Sequence, residues 1–344
     1  MATSTLTTDV AVIGAGPVGL FAVFECGMLG MKCHVIDALD IAGGQCAALY
    51  PEKPIYDIPG YPKILAADLI ERLQSQAEPF KPNYHFGQQV VALQRYGESR
   101  WLLQTSAGTQ IDTGAVIIAA GVGAFGPNRP PLAGIEEFEN QSPGSGVCYF
   151  VQRRNDFRDR RVVIAGGGDS AVDWALSLAD VAAHVAVVHR RDKFRAAPES
   201  VRRLRELVAS GRIELVVPYQ LAAVEGSEGQ LRKVVVRDLD GQTRDLSSDA
   251  LLPFFGLTQN LGPIAEWGLN LFRNHIHVDP ATCSVGLSGV FAIGDIITYP
   301  GKLKLILSGF AEAAAAAHAI YPLLHPGEAL HFEYSTTKGI PEVA

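Results

Sequence analysis

The sequence predicts an α/β fold with two Rossmann-like dinucleotide-binding domains, the second inserted in the first. Three observations carry this expectation. A glycine fingerprint, Gly14-Ala15-Gly16-Pro17-Val18-Gly19, lies between an apolar run and a helix-like segment, and the same grammar returns at Gly166-Gly167-Gly168-Asp169-Ser170-Ala171. A second apolar run follows each fingerprint, and the residue just after it lies 23 residues beyond the first glycine. Far downstream, Gly289-Val290-Phe291-Ala292-Ile293-Gly294-Asp295 reads as a strand returning to the first domain. The expected division is therefore 1–122 for the first part of one domain and 123–284 for the inserted domain. Residues 285–344 then hold the remainder of the first domain and a C-terminal tail. The Pro- and Gly-rich stretch 121–134 serves as a linker.

Each element of the first half has a physical reason. Asp9-Val10-Ala11-Val12-Ile13 is a strand buried on both faces, and Leu20-Phe21-Ala22-Val23-Phe24-Glu25 continues as a helix. Between them Gly14 permits the tight turn, Gly16 lets the backbone approach a pyrophosphate, and Gly19 allows the helix to pack against the strand. The phosphates rest on the helix N-terminus, where unpaired amides and the helix dipole favour negative charge. The next strand, 32–36, ends at Asp37, whose carboxylate accepts hydrogen bonds from both ribose hydroxyls and repels a 2'-phosphate. This half is expected to take FAD or NAD.

The second half differs at the decisive position. Arg161-Val162-Val163-Ile164-Ala165 leads into Gly166, Gly168, Asp169 and Ser170, followed by a helix over 172–178 and a strand over 185–188. Where the first half has Asp37, the second has His189, with Arg190 and Arg191 directly after it and Arg195 close by. Guanidinium groups offer fixed, charge-assisted donor pairs that suit a 2'-phosphate, so this half is expected to take NADP(H). A solvated basic loop is the plainer reading of the same residues.

Composition narrows the class. At 344 residues, with 48% hydrophobic content and 35 glycines, the chain can bury two α/β cores. Its net charge of −7 disfavours nucleic-acid binding. Arginines nevertheless cluster at 153–161 and 190–205, which could steer an acidic protein partner. The most apolar stretch, 311–324, is interrupted by Glu312, His318 and Pro322 and is too short to span a bilayer, so a cytoplasmic address is expected. Five cysteines without a Cys-x-x-Cys exclude a zinc ribbon and a thioredoxin-type redox pair, and the histidines show no metal-ligand spacing. Cys46, in a loop near the expected flavin, reads as structural rather than redox-active.

With these residues in view, the chain resembles the thioredoxin-reductase-like flavoproteins over nearly its whole length. The resemblance rests on both fingerprints, Gly43-Gly44-Gln45, the run His189-Arg190-Arg191-Asp192-Lys193-Phe194-Arg195-Ala196, and residues 290–295. The Cys-x-x-Cys that precedes the second fingerprint in thioredoxin reductases is absent; the equivalent stretch, 146–151, holds Cys148 alone. Residues 48–53, 56–60, 167–175, 260–264 and the tail Tyr334-Ser335-Thr336-Thr337 instead resemble the thioredoxin-reductase-like type of ferredoxin–NADP+ reductase.

That resemblance implies specific roles. Asp37 binds the adenosine ribose, Gln45 and Tyr50 contact the flavin, Val90 meets the adenine side through its backbone, and Phe125 and Asp295 complete the FAD site. Tyr334 stacks on the face of the isoalloxazine opposite Tyr50, with Ser335 and Thr336 as polar contacts, and has to move before nicotinamide can stack there. The family implies an enzyme that exchanges a hydride with NADP(H) and single electrons with ferredoxin or flavodoxin, acting as a homodimer without metal, membrane or nucleic acid. Two alternatives use the same residues: an NADPH-dependent reductase of quinones, free flavins or a separate dithiol protein, and a redox-sensing binding protein without turnover.

Overall fold

The second half of the first strand, β1 (Leu6–Ile13), is buried on both faces, and this sets the layering around it. Val10 and Val12 belong to one apolar cluster and Ala11 and Ile13 to another, so successive side chains feed opposite cores. The computed structural model describes residues 5–139, 141–328, 330 and 339. Helix α1 (Pro17–Met28) follows the glycine turn, and β2 (Cys33–Ile36) runs parallel to β1 with Ile13 opposite Ile36. On the other side β1 pairs in parallel with the strand Gln110–Ile118, and beyond β2 lies Asn83–His85.

The strand Gln110–Ile118 divides its free edge. Its first half pairs with Arg100–Thr105 of an antiparallel hairpin, and its second half pairs in parallel with Val290–Ala292. The returning strand therefore joins the first sheet, and the Trp101 indole N–H anchors its approach by donating to the Ser288 carbonyl at 3.1 Å. One face of the sheet is covered by α1, by α3 (Ala66–Ala77) and by the last helix, α6 (Ile306–Leu324). Small residues let α6 lie close: Ala313, Ala316 and Ala317 are fully buried, and a methyl group at Gly309 would sit 2.3 Å from Val18.

The chain divides into two compact units, Met1–Phe125 with Gln259–Ala344, and Gly126–Thr258. The return to the first unit thus comes at Gln259 and not at 285 as expected. Ile276, Val278 and Val285 pack in the same cluster as Ala11 and Val116, which ties the segment after 258 to the first core. The second unit is a five-stranded parallel sheet, in order Gly146–Val147, Ala250–Pro253, Arg161–Ala165, His184–Val188 and Ile213–Val216. Helices α4 (Asp169–Leu178) and α5 (Pro198–Ala209) accompany it, with an antiparallel three-stranded sheet over 220–247. Helix α4 begins three residues before the expected start, because the first turn springs directly from Gly168.

Among the described residues no helix is long and apolar enough to cross a membrane. Pro322, read as an interruption, sits inside the last turns of α6, and Glu312 is buried within that helix.

A titratable pair links β2 to its outer neighbour. His34 Nδ1 lies 3.0 Å from His85 Nε2, and burial holds both imidazoles below their ordinary range, with each other's charge adding to the effect at His34. Because the folded pKa values are depressed, the unfolded chain binds these protons more readily. Their contribution is complete above about pH 6.5 and is lost as pH falls below it. The urea midpoint is expected to drop between pH 7 and pH 5, and His85→Phe to flatten that dependence; an unchanged slope in the variant would remove the pair as its source.

Candidate dinucleotide sites

The first site grows out of the turn between β1 and α1. Gly14 has φ +112°, and a methyl group there would lie 2.4 Å from the Ala119 carbonyl oxygen; one at Gly19 would lie 1.9 Å from the Gly14 carbonyl oxygen. Helix and strand thus touch backbone to backbone. Gly16 is different: a methyl group there meets no atom within 4 Å, because the residue faces a cavity of about 480 Å³. Gly16 caps α1 without any side-chain hydrogen bond and Pro17 opens the helix, so the first-turn amides have no side-chain acceptor at this cap. Open space beside Gly16 and an uncapped helix end fit a pyrophosphate.

Asp37, just past β2, is bound into the turn. Its Oδ2 accepts from the Ala15 amide at 2.6 Å and its Oδ1 from the Leu39 amide at 2.8 Å, which leaves lone pairs on both oxygens for a ribose. Burial raises its pKa above the usual carboxylate value, and the two amide bonds oppose that rise.

Gly43 and Gly44, both with positive φ, dock a short helix α2 (Gln45–Ala48) on the same turn. The Gly43 amide donates to the Ala15 carbonyl at 2.8 Å, and a methyl group at Gly44 would sit 3.2 Å from the Gly16 Cα. This close approach places Gln45 and Tyr50 in the cavity wall. The Cys46 thiol, also in the wall, faces the Tyr50 hydroxyl at 4.0 Å, and the Lys53 ammonium stands 5.7 Å from the Tyr50 ring centre. Burial pushes the Cys46 thiol up to about 11 and holds the Tyr50 phenol well above its ordinary range.

Of the expected first-site residues, Gly14, Gly16, Asp37, Gln45, Tyr50, Val90 and Asp295 line the cavity, and Gly19 stands behind the turn. The Phe125 side chain and residues Tyr334, Ser335 and Thr336 lie outside the described residues. Gln88, Gln89, Leu261, Ile264, Lys304 and Ile306 are among the further residues that line the cavity. Leu261 and Ile264 belong to the motif at 260–264, so a sequence signal for them existed; Lys304 and Ile306 carried none.

The second unit holds its own fingerprint. Gly168 caps α4 without a side-chain bond, and a methyl group there meets nothing within 4 Å, as at Gly16. Gly167 packs under His189, where a methyl group would lie 2.3 Å from the imidazole. Two bonds tie the basic loop to this turn: the Arg195 amide donates to the Gly167 carbonyl at 2.7 Å, and the Ala197 amide donates to Asp169 Oδ1 at 2.8 Å. Arg190, Arg191 and Arg195 are exposed, and among the described residues no carboxylate forms an ion pair with them, whereas Arg202 is engaged by Glu199 and Glu206. Ser170 is exposed in the first turn of α4. Burial lowers the His189 pKa, and the neighbouring arginines add to this, so a neutral ring is favoured there.

Two glycine turns, each at the end of a strand in its own largely parallel sheet, define a protein of two Rossmann-like units. The chain belongs to the pyridine nucleotide-disulphide oxidoreductase family, whose pattern matches residues 8–319, and to its ferredoxin–NADP reductase branch. It is 63% identical over 335 residues to the ferredoxin–NADP reductase of Paramagnetospirillum magneticum, covering 97% of this chain and 98% of that one. Its identity to the Rhodospirillum rubrum protein of the same name is 61% over 341 residues, covering 98% of each chain. The fold is similar to thioredoxin reductases from Lactococcus lactis (24% identity) and T. acidophilum (22%), each with a TM-score of 0.79 and 92% of this chain covered. The structural alignment covers 99% of the first of those chains and 98% of the second.

Two outcomes follow from the geometry. Gly19→Ala forces a methyl group into backbone and is expected to cost about 1–3 kcal/mol in urea unfolding, whereas Gly16→Ala keeps stability and loses dinucleotide affinity; the reverse pattern would contradict the assignment of the two glycines. With Cys46 near 11 and the Cys148 thiol also pushed up to about 11 by burial, both are protonated at pH 8. Iodoacetamide is expected to spare them in the native protein and label them after unfolding, as read by mass spectrometry.

Proposed function

We propose that the protein is an FAD-dependent ferredoxin–NADP+ reductase, exchanging a hydride with NADP(H) and single electrons with ferredoxin or flavodoxin. The observation that carries this reading is the contrast between the two ribose ends: a half-buried acid, Asp37, in the first unit, and in the second exposed Arg190, Arg191 and Arg195, which no carboxylate among the described residues pairs. The relatives bearing the ferredoxin–NADP reductase name support the activity.

When bound, FAD supplies the exchange between a two-electron hydride donor and a one-electron acceptor. The chain's residues supply placement. The uncapped α1 amides and Gly16 receive the pyrophosphate, and Asp37 selects a ribose without a 2'-phosphate. Gln45 and Tyr50 meet the ring, with Asp295 at the ribityl and pyrophosphate end and the Val90 backbone at the adenine. The side chains of Leu261 and Ile264 keep water from that wall. In the second unit Gly166, Gly168 and Ser170 receive the phosphates at the start of α4. Asp169 braces the loop that carries the 2'-phosphate ligands, and His189 packs on the glycine turn.

The remaining parts of the reading are a homodimer in the cytoplasm, Tyr334 with Ser335 and Thr336 at the second face of the ring, Phe125 at the FAD site, and domain limits that follow the two units. Exposed Arg203 and Arg205 on α5 would favour an acidic partner.

The test is anaerobic reduction of the purified protein by NADPH and by NADH, followed by ferredoxin or thioredoxin as acceptor. Preferential bleaching by NADPH with rapid ferredoxin reduction is expected; bleaching without ferredoxin turnover would point to another acceptor, and no bleaching to a binding protein. Arg190→Ala/Arg191→Ala should raise KM for NADPH about 10- to 100-fold with kcat and NADH use little changed, from the loss of charge-assisted bonds.

A further inference from the structure

Helix α6 is rich in alanine and small apolar residues, yet it carries a carboxylate, Glu312, that is only 5% exposed. Three donors from one short segment converge on it. Oε2 accepts from the Gly294 amide at 2.8 Å, while Oε1 accepts from the Tyr299 hydroxyl at 2.8 Å and from the Lys302 ammonium at 2.5 Å. The Lys302 side chain is as deeply buried as its partner. A buried ion pair is a poor way to gain stability, because desolvation offsets the attraction, so its presence calls for another physical reason.

The segment it holds supplies that reason. Between the strand Val290–Ala292 and α6 the chain has only a single 3-10 turn, Gly294–Ile296, and a two-residue strand, Ile297–Thr298, before running irregularly to Ile306. Both ends of this strap line the first cavity: Gly294 and Asp295 at its start, Lys304 and Ile306 at its finish. Lys302 points inward to Glu312, while Lys304 reaches the His275 ring, its Nζ 2.6 Å from Nε2. Buried Ile296 and Ile297, and the pairing of Ile297–Thr298 with the strand His275–His277, hold only the middle of the strap; on either side of it a carboxylate with donors at Gly294, Tyr299 and Lys302 sets the course.

We propose that Glu312 is a positioning residue of the flavin site, whose carboxylate fixes the strap 294–306 and thereby the placement of Asp295 and the start of α6 against the cofactor. The inference rests on the FAD reading of the first cavity and adds a residue that does not itself line it.

Three full-length variants test it, with FAD removed and rebound. Lys302→Met/Glu312→Gln abolishes both charges but keeps an amide oxygen for Gly294. Lys302→Met/Glu312→Leu abolishes both charges and the acceptor. Glu312→Asp keeps the charge and withdraws it by one methylene. FAD affinity is measured from quenching of flavin fluorescence, 2',5'-ADP affinity by calorimetry as the readout of the second unit, and the visible flavin band as a signature of the ring's surroundings. The Gln double variant is expected to bind FAD nearly as the wild type does. The Leu double and Asp variants should bind at least about tenfold more weakly with a shifted flavin band and unchanged 2',5'-ADP affinity, given the worth of hydrogen bonds to a charged acceptor. Should the Leu double variant fail to fold, Glu312→Asp decides alone. Wild-type FAD affinity in the acceptor-deficient variants, or equal loss of FAD and 2',5'-ADP binding, overturns the positioning role. A wild-type chain that binds 2',5'-ADP but no FAD overturns the cofactor reading itself, and this inference with it.

Discussion

Backbone touching backbone at the first glycine turn is the constraint on which the first unit depends. The Gly19 Cα faces the Gly14 carbonyl, the Gly14 Cα faces the Ala119 carbonyl, and Gly44 closes on Gly16 from above. A side chain at Gly19 would push α1 away from β1, one at Gly14 would push the turn off the segment that follows the strand Gln110–Ile118, and everything referenced to α1 would follow. The α6 helix packs on α1 through Gly309 and Val18, so the wall on the far side of the cavity inherits the same reference. The helix amides face open space because the N-cap, Gly16, has no side chain to cap them and borders the cavity.

Charge placement around that turn is economical but not cheap. Asp37 is buried enough to have its pKa raised, and its two amide bonds brace the turn and the start of the next loop at the same time. A residue of this kind links binding to folding: its carboxylate is held in place before a ribose arrives, which lowers the ordering cost of association. Glu312 follows the same logic behind the wall that Gly294 and Asp295 form, with donors from Gly294, Tyr299 and Lys302. Both carboxylates serve segments with little regular secondary structure, where hydrogen bonds to a fixed charge supplement a short or absent strand ladder.

The second unit solves a different problem with the same turn. Its basic loop is tied down through backbone, by the Arg195 amide and the Ala197 amide, and among the described residues no carboxylate pairs with the side chains of Arg190, Arg191 and Arg195. Arg202, by contrast, is engaged by Glu199 and Glu206 on its own helix. Loop backbone that is anchored while its guanidinium groups are free is the arrangement an incoming phosphate can use with least rearrangement. The lowered His189 pKa belongs to the same economy, because a neutral ring over Gly167 adds no further repulsion among three cations.

Local sequence determined the parts of this protein whose physics is local. Glycine spacing, apolar runs buried on both faces, and the residue that ends each second strand are properties of about thirty consecutive residues, and they disclosed both turns, Asp37 and the basic loop. The tail residues Tyr334, Ser335 and Thr336 remain expectations, since they lie outside the described residues. Tertiary structure decided what depends on distant segments meeting. The end of the inserted unit falls at Thr258 because Ile276, Val278 and Val285 find their cluster in the first unit, which no local pattern near 259 announces. Glu312 looked like an interruption of an apolar stretch because hydropathy is read one residue at a time. Its meaning lies in three donors 10 to 18 positions away in the chain, brought to a single carboxylate only when α6 packs against the first sheet.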